Sequence, residues 1–376
     1  MESQGRRDKK LLTILGPVRY RRTRLECPAC HQALYPGDEQ LDVVGTTRSP
    51  GVRRMMARVG SKSTFKEGRD DLKVLAGLTV SAKDVERVAE AVGTDMEAWS
   101  RRERQRWLTY RPKGLVGKTI RVLYVEADGT GVPMVRGELT GRRGKQPDGS
   151  ARTREAKLGC VFAQTVRDRK GRAVRDPDST TFVGAIETAE EFGERLYAEA
   201  VRRGLYQAQQ VVLLGDAAEW VKQLQVMRFP QATYIIDLYH AREHVGQLCQ
   251  ALFSGRDNEI VRHRVQWWAD LDAGRVEKIV AEAERQLPGR GSNRDTACVE
   301  IAYLKKNKEH MRYAAFRRRG LFVGSGVIEA GCRSVIGLRL KQSGMEWSIR
   351  GANAVIALRC MMQSGRLEDY WESRVG

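Results

Sequence analysis

Three acidic residues stand where metal-assisted phosphodiester chemistry would need them. Asp128 follows the β-branched apolar run at 119–125 (TIRVLYV), and Asp216 follows the run at 210–214 (QVVLL). Glu329 opens a late helical stretch that starts at Gly324-Ser325-Gly326. In an open sheet with parallel neighbours, ligands collect at the carboxyl ends of strands. Mg²⁺ takes carboxylates together with water and phosphate oxygens. Two such ions roughly 3.5–4 Å apart can activate an attacking oxygen and stabilise a leaving one. Three carboxylates suit that arrangement. Ordinary roles stay open for each: Asp before Gly is common turn chemistry, Asp216 could cap the helix after it, and a Glu in a first helical turn suits the macrodipole. Their joint order along a basic chain favours the chemical reading.

The hydrophobic pattern supplies the elements that would position these groups. Residues 158–166 (LGCVFAQTV) and 180–186 (TTFVGAI) read as second and third strands, and 136–154 as a Gly- and charge-rich loop. Residues 190–203 read as a helix with Phe192, Leu196, Ala200 and Val201 on one face. A fourth strand ends at Gly215-Asp216, a helix passes through Trp220, Val221 and Leu224, and a fifth strand at 232–236 ends in Asp237-Leu238-Tyr239-His240. Three strands, a helix, a strand, a helix and a strand make an α/β pattern, the element order of a ribonuclease H-like catalytic domain. From 241 to about 319 the sequence is helical and charged without a strand signal, an all-helical insertion.

Ahead of this core, 1–25 is basic, with a short strand and turn expected over 11–18. Cys27-Pro28-Ala29-Cys30 is a C-x-x-C knuckle of zinc-ribbon-like spacing. Zinc needs four ligands, and no second pair follows. Asp38, Glu39 or Asp42 could complete a mixed site, and a metal-free remnant of a ribbon remains the other reading. Helical patterns over 70–93 are broken at 77–81, where Ser81 and Asp84 have capping-box form, the outline of a helix-turn-helix that could bind DNA. Arg101, Arg102, Arg104 and Arg106 lead into Arg111-Pro112-Lys113-Gly114, a domain boundary. The expected segments are therefore 1–65 with the knuckle, 66–115 helical, 116–240 the first part of the α/β core, 241–320 the insertion, and 321–376 the closing helices with Glu329.

The chain of 376 residues carries 66 Lys and Arg against 47 Asp and Glu, a net charge of +19. Such a field attracts polyanions, nucleic acid first among them. No apolar run reaches the roughly 18 residues of a membrane span, and no signal-peptide core follows the basic start. The expectation is a soluble, cytoplasmic, nucleoid-associated protein. Seven scattered cysteines argue against a disulfide framework.

The segments VEADGTGVP (125–133), LLGDAAEW (213–220), IIDLYHAREH (235–244), GSGVIEAGCRSVIGLRLKQSGMEWS (324–348) and WSIRGANAVIALR (347–359) resemble those of bacterial insertion-sequence transposases of the DDE class, closest to the ISKra type. The resemblance covers nearly the whole chain. It implies that Asp128, Asp216 and Glu329 are the metal-binding triad, with two Mg²⁺ ions for which Mn²⁺ could substitute. It implies cleavage at transposon ends followed by strand transfer into target DNA, in a homodimer or a higher synaptic assembly. Asp237 and His240 match a D-x-x-H signature, where the His could orient water or phosphate or hold a strand-to-helix junction. Trp267 and Trp268 fall where related enzymes stack an aromatic on a flipped base, or they belong to the core. Arg333 could contact a phosphate or form an ion pair. The chain begins closer to its knuckle than these transposases do, so end-recognition elements are expected to be missing. That keeps two alternatives open: a truncated or domesticated DNA-binding protein, and a ribonuclease H-like nuclease that cuts without joining.

Overall fold

A computed structural model describes residues 1–110, 119–139 and 152–374. The boundary expected at 111–114 and most of the loop expected at 136–154 lie outside the described residues. The chain clusters into two units that cut across sequence order. One comprises 1–102, 131–154 and 334–376, and the other 103–130 and 155–333.

The first unit opens with a long β-hairpin, β1 (Glu2–Thr13) paired antiparallel with β2 (Gly16–Glu26), and a two-residue β3 (Ala33–Leu34). The short strand and turn expected at 11–18 are the tip of this ribbon. Eight of the twelve β1 residues, 2–8 and Lys10, are exposed. Only Lys9 and Leu11 are buried there, with Lys9 neutralised by Asp38 at 2.8 Å. Helices follow at Pro50–Lys62, Phe65–Ala76 and Ala82–Thr109. The second starts with a capping box, Thr64 with Glu67, and ends at Gly77 in the left-handed conformation, φ 65°, which glycine adopts without steric cost. Ser81 Oγ accepts from the Asp84 amide at 3.0 Å, so the turn at 77–81 separates two helices. Val85, Ala89, Val92 and Met96, at helical spacing, face Val52, Met56, Leu72, Leu358 and Tyr370. The helices Ala82–Thr109 and Ile349–Gln363 cross so closely at Gly93 that a Cβ there would lie 2.2 Å from the Ala354 carbonyl oxygen.

The second unit is built on a five-stranded mixed sheet of order β6-β5-β4-β7-β8: β4 (Ile120–Pro133), β5 (Thr153–Gln164), β6 (Thr181–Ala185), β7 (Ala208–Gly215) and β8 (Thr233–Ile236). The fold class is thus α/β. The central β4 is buried from Val122 to Ala127, as expected of a strand covered on both faces. It pairs in parallel with β7, and β7 with β8. Helices Ala189–Arg202 and Glu219–Arg228 follow β6 and β7. From Leu238 to Arg318 the described residues form helices only.

Candidate active site

The parallel register of β4 and β7 sets the centre of the site. Ala127 pairs with Gly215. The next residue on each strand is therefore Asp128 or Asp216, side by side where the pairing stops. β4 itself does not end there. It runs on to Pro133, so Asp128 lies within the strand, not in the turn that Asp-Gly suggested. Asp128 Oδ1 accepts from the Gly129 amide at 2.7 Å, and its Oδ2 lies 3.4 Å from the Cys332 thiol. Partial burial raises its carboxyl above the ordinary aspartate range, against these two donors, with Asp216 and Glu155 adding repulsion. Asp216 Oδ1 accepts from the Ala218 amide at 3.0 Å, while its carbonyl takes the Tyr234 hydroxyl. It thus closes a local turn, but the following helix starts from Ala218 without a side-chain cap.

Glu329 sits in the short helix Gly326–Gly331, exposed, with its Oε1 accepting from Ser325 Oγ at 3.2 Å. A π-helical segment, Cys332–Gly337, continues directly from it. Such wide turns are rare and concentrate at functional sites. Arg333 lies at its start and is exposed.

Two buried acids hold that helix. Asp237, 3% exposed, spends one oxygen on the His240 amide at 2.7 Å and the other on the Ser325 amide at 2.6 Å. Glu126, fully buried, accepts from the Ile328 amide at 2.9 Å with Oε2. Free amides at a helix start need acceptors, and carboxylates suit that end of the dipole. Asp237 is therefore a clamp between the strand end and the Glu329 helix. Glu126 Oε1 has no hydrogen-bond partner among the described residues. Burial pushes this carboxyl up to about 8, against the Ile328 amide and the Cys160 thiol, with Asp237 and Glu329 adding repulsion. Glu126 escaped the sequence reading, although a charge two residues before Asp128 shares its strand face.

His240 follows Asp237 on the helix Leu238–Leu252, its Nε2 3.3 Å from His244 Nε2. Trp267 is buried completely and donates to Glu282 at 2.8 Å, which makes it core. Trp268 is half-buried, donates to the Arg242 carbonyl at 3.1 Å, and stacks with the Arg242 and Arg264 guanidinium groups, each 5.5 Å from its ring. In the first unit, Cys27 and Cys30 lie just after β2. Asp38 and Asp42 are committed elsewhere, Asp38 to Lys9, Tyr20 and Arg22, and Asp42 to Arg53 and Arg374. Among the described residues no three His, Cys, Asp or Glu side chains converge as a ready metal cage. The acid pair nonetheless suits a hard cation, because Mg²⁺ needs only one or two carboxylates when water and phosphate complete its shell. No helix of the described residues is long and apolar enough to cross a membrane.

The uncharacterised protein family UPF0236 matches residues 2–374, and the chain belongs to that family. A relative from Streptococcus gallolyticus, described as "UPF0236 protein in vanSb 3'region", is 23% identical over 378 residues, covering 97% of this chain and 75% of that protein.

Proposed function

We propose that this protein is a DDE-class transposase whose Asp128, Asp216 and Glu329 carry metal-dependent phosphodiester chemistry on DNA. The observation that carries the reading is the parallel register that sets Asp128 beside Asp216, with the Glu329 helix pinned to β4 by Glu126 and to the end of β8 by Asp237. The fold assignment that goes with it is ribonuclease H-like. Its support is the sheet order, the parallel β4, β7 and β8, and helices after β6 and β7.

Asp128 and Asp216 would hold divalent ions through hard oxygens, and Glu329 would add a third carboxylate from the solvent side. Bound Mg²⁺ or Mn²⁺ would supply activation of the attacking oxygen and charge relief for the leaving one. The chain's own work is positioning. Gly129 and Ala218 amides orient the two aspartates, and the buried clamps fix the turn that presents Glu329. DNA attraction draws on the +19 charge and on exposed Arg6, Arg7, Lys10, Arg19 and Arg21 of the β1–β2 ribbon. Two-stranded ribbons can enter a DNA groove.

The test uses the purified chain, DNA carrying the repeats that flank its gene, and Mg²⁺ against EDTA, with Asp216→Asn in parallel. Metal-dependent cleavage and end joining, both lost in the variant, are expected. Cleavage without joining would replace the transposase by a nuclease. Binding that ignores Mg²⁺ and the variant, without cleavage, would mark a repurposed DNA-binding protein.

A further inference from the structure

The helix Leu238–Leu252 carries a second histidine one turn beyond His240. The Nε2 atoms of His240 and His244 face each other at 3.3 Å, their rings nearly perpendicular at 85°. Behind His244, Nδ1 meets Glu300 Oε2 at 2.6 Å, and Glu300 is 5% exposed on the helix Ser292–Asn307. Tyr303, one turn along that helix, stacks on the His244 ring with centroids 3.6 Å apart. Behind His240, Nδ1 faces Glu243 at 3.8 Å. The two imidazoles keep partial access to solvent, with 34% and 21% of their side chains exposed.

Glu300 fixes the proton of His244 on Nδ1 and leaves a lone pair at Nε2. In the metal-free chain His240 must then donate its Nε2 proton to that lone pair. Two imidazole nitrogens, each about 2.0–2.1 Å from a tetrahedral cation, lie about 3.3–3.4 Å apart. The observed 3.3 Å spacing meets that requirement, and a turn of the rings about their own side-chain bonds would bring the two lone pairs onto one cation. A carboxylate behind a ligating histidine is also the usual companion of such sites, because it fixes the tautomer and raises the basicity of the ligand. Histidines at i and i+4 on one helix face are a recurrent zinc-binding pair.

We propose that His240 and His244 form a binding site for a Zn²⁺-class cation, with Glu300 as the orienting carboxylate. Two protein ligands leave the remaining positions to water or to an oxygen of a bound phosphate. On binding, the cation takes both Nε2 lone pairs, and the displaced proton of His240 moves to its Nδ1, opposite Glu243. Tyr303 keeps the His244 ring from turning away.

The test titrates Co²⁺, then Zn²⁺ in competition, into the full chain carrying Cys27→Ser and Cys30→Ser, so that the knuckle contributes nothing. With the aspartate pair saturated by excess Mg²⁺, one further equivalent with a d–d absorption band is expected. His240→Gln and His244→Gln should each weaken binding at least tenfold, with far-UV circular dichroism and melting unchanged. Glu300→Gln should weaken it about 10–100-fold, and Asp216→Asn should leave it intact. Equal affinity in parent and both histidine variants would overturn the site and leave a histidine–histidine hydrogen bond. Loss of binding in Asp216→Asn with the histidine variants unaffected would overturn it equally, by assigning the ion to the aspartate pair.

Discussion

Each unit buries like charges without a counter-ion, and the two do so in opposite ways. At the sheet end of the second unit, Glu126, Asp128 and Asp216 gather acids, and the carboxyls of Glu126 and Asp128 are pushed up. In the first unit, Arg339 and Arg359 are buried at 0% and 6% exposure, and among the described residues neither touches a carboxylate, although Glu67 acts on Arg339 through space. Arg359 donates to the carbonyls of Val335, Ser61 and Ser334. Arg339 donates to the Gly60 carbonyl at 2.9 Å and lies 4.5 Å over Phe65 and 4.9 Å over Trp347. Burial lowers its pKa to about 10, with Arg359 adding repulsion. The arginines are answered from within by backbone oxygens and ring faces, save Arg339 Nη2, which has no hydrogen-bond partner among the described residues and is sealed from solvent. The acids keep an orphaned oxygen and exposed or half-exposed carboxylates, and so remain open to a cation. Buried charge alone does not define a site; unanswered charge that also reaches solvent does.

The comparison breaks most sharply at Asp216. Asp216→Asn keeps the local turn and removes a ligand charge, so metal-dependent cleavage should fall on the order of 10³-fold, about 4 kcal/mol of barrier, with melting unchanged. Arg359→Leu strips three buried carbonyls of their donor and should cost about 3 kcal/mol of stability, read by urea unfolding. A loss within experimental error would mean water replaces the guanidinium.

Glu126→Gln tests the acid side through pH. In the metal-free chain Glu126 titrates near 8 when folded, against an ordinary 4.5 when unfolded. The folded state holds the proton between those values. Its stabilising contribution is complete below about pH 4.5 and is lost as pH rises towards 8. Wild type should therefore lose a few kcal/mol relative to Glu126→Gln across that window, measured by unfolding in EDTA. Parallel pH profiles would remove the raised carboxyl from the account. The smallest effect is expected at Arg339→Met, under about 1.5 kcal/mol, since an apolar side chain of similar length can replace a buried charge that touches no carboxylate and leaves one of its own nitrogens unpaired.

Asp128 and Asp216 were legible because each follows an apolar run that could only be a buried strand. Their adjacency was not, since parallel register depends on pairing between strands about ninety residues apart in the chain. The β1–β2 ribbon was hidden because the face it buries carries charged residues, Lys9 on β1 and Arg22 and Arg24 on β2, so its alternation is not a hydrophobic one. Glu126 went unnoticed, because an acid directly after TIRVLYV has the look of a chain leaving the sheet for solvent. Here β4 stays buried one residue further, through Ala127. The partnership of His244 with Glu300 depends on two helices meeting across 56 residues, for which local sequence carries no signal.

The most direct test of the acid pair as a cation site is Mn²⁺ titration followed by electron paramagnetic resonance, in wild type and in Asp128→Asn with Asp216→Asn combined. The account predicts bound Mn²⁺ in the wild type, displaced by excess Mg²⁺, and its loss in the double variant with the fold intact. Equal Mn²⁺ binding in both proteins would contradict it.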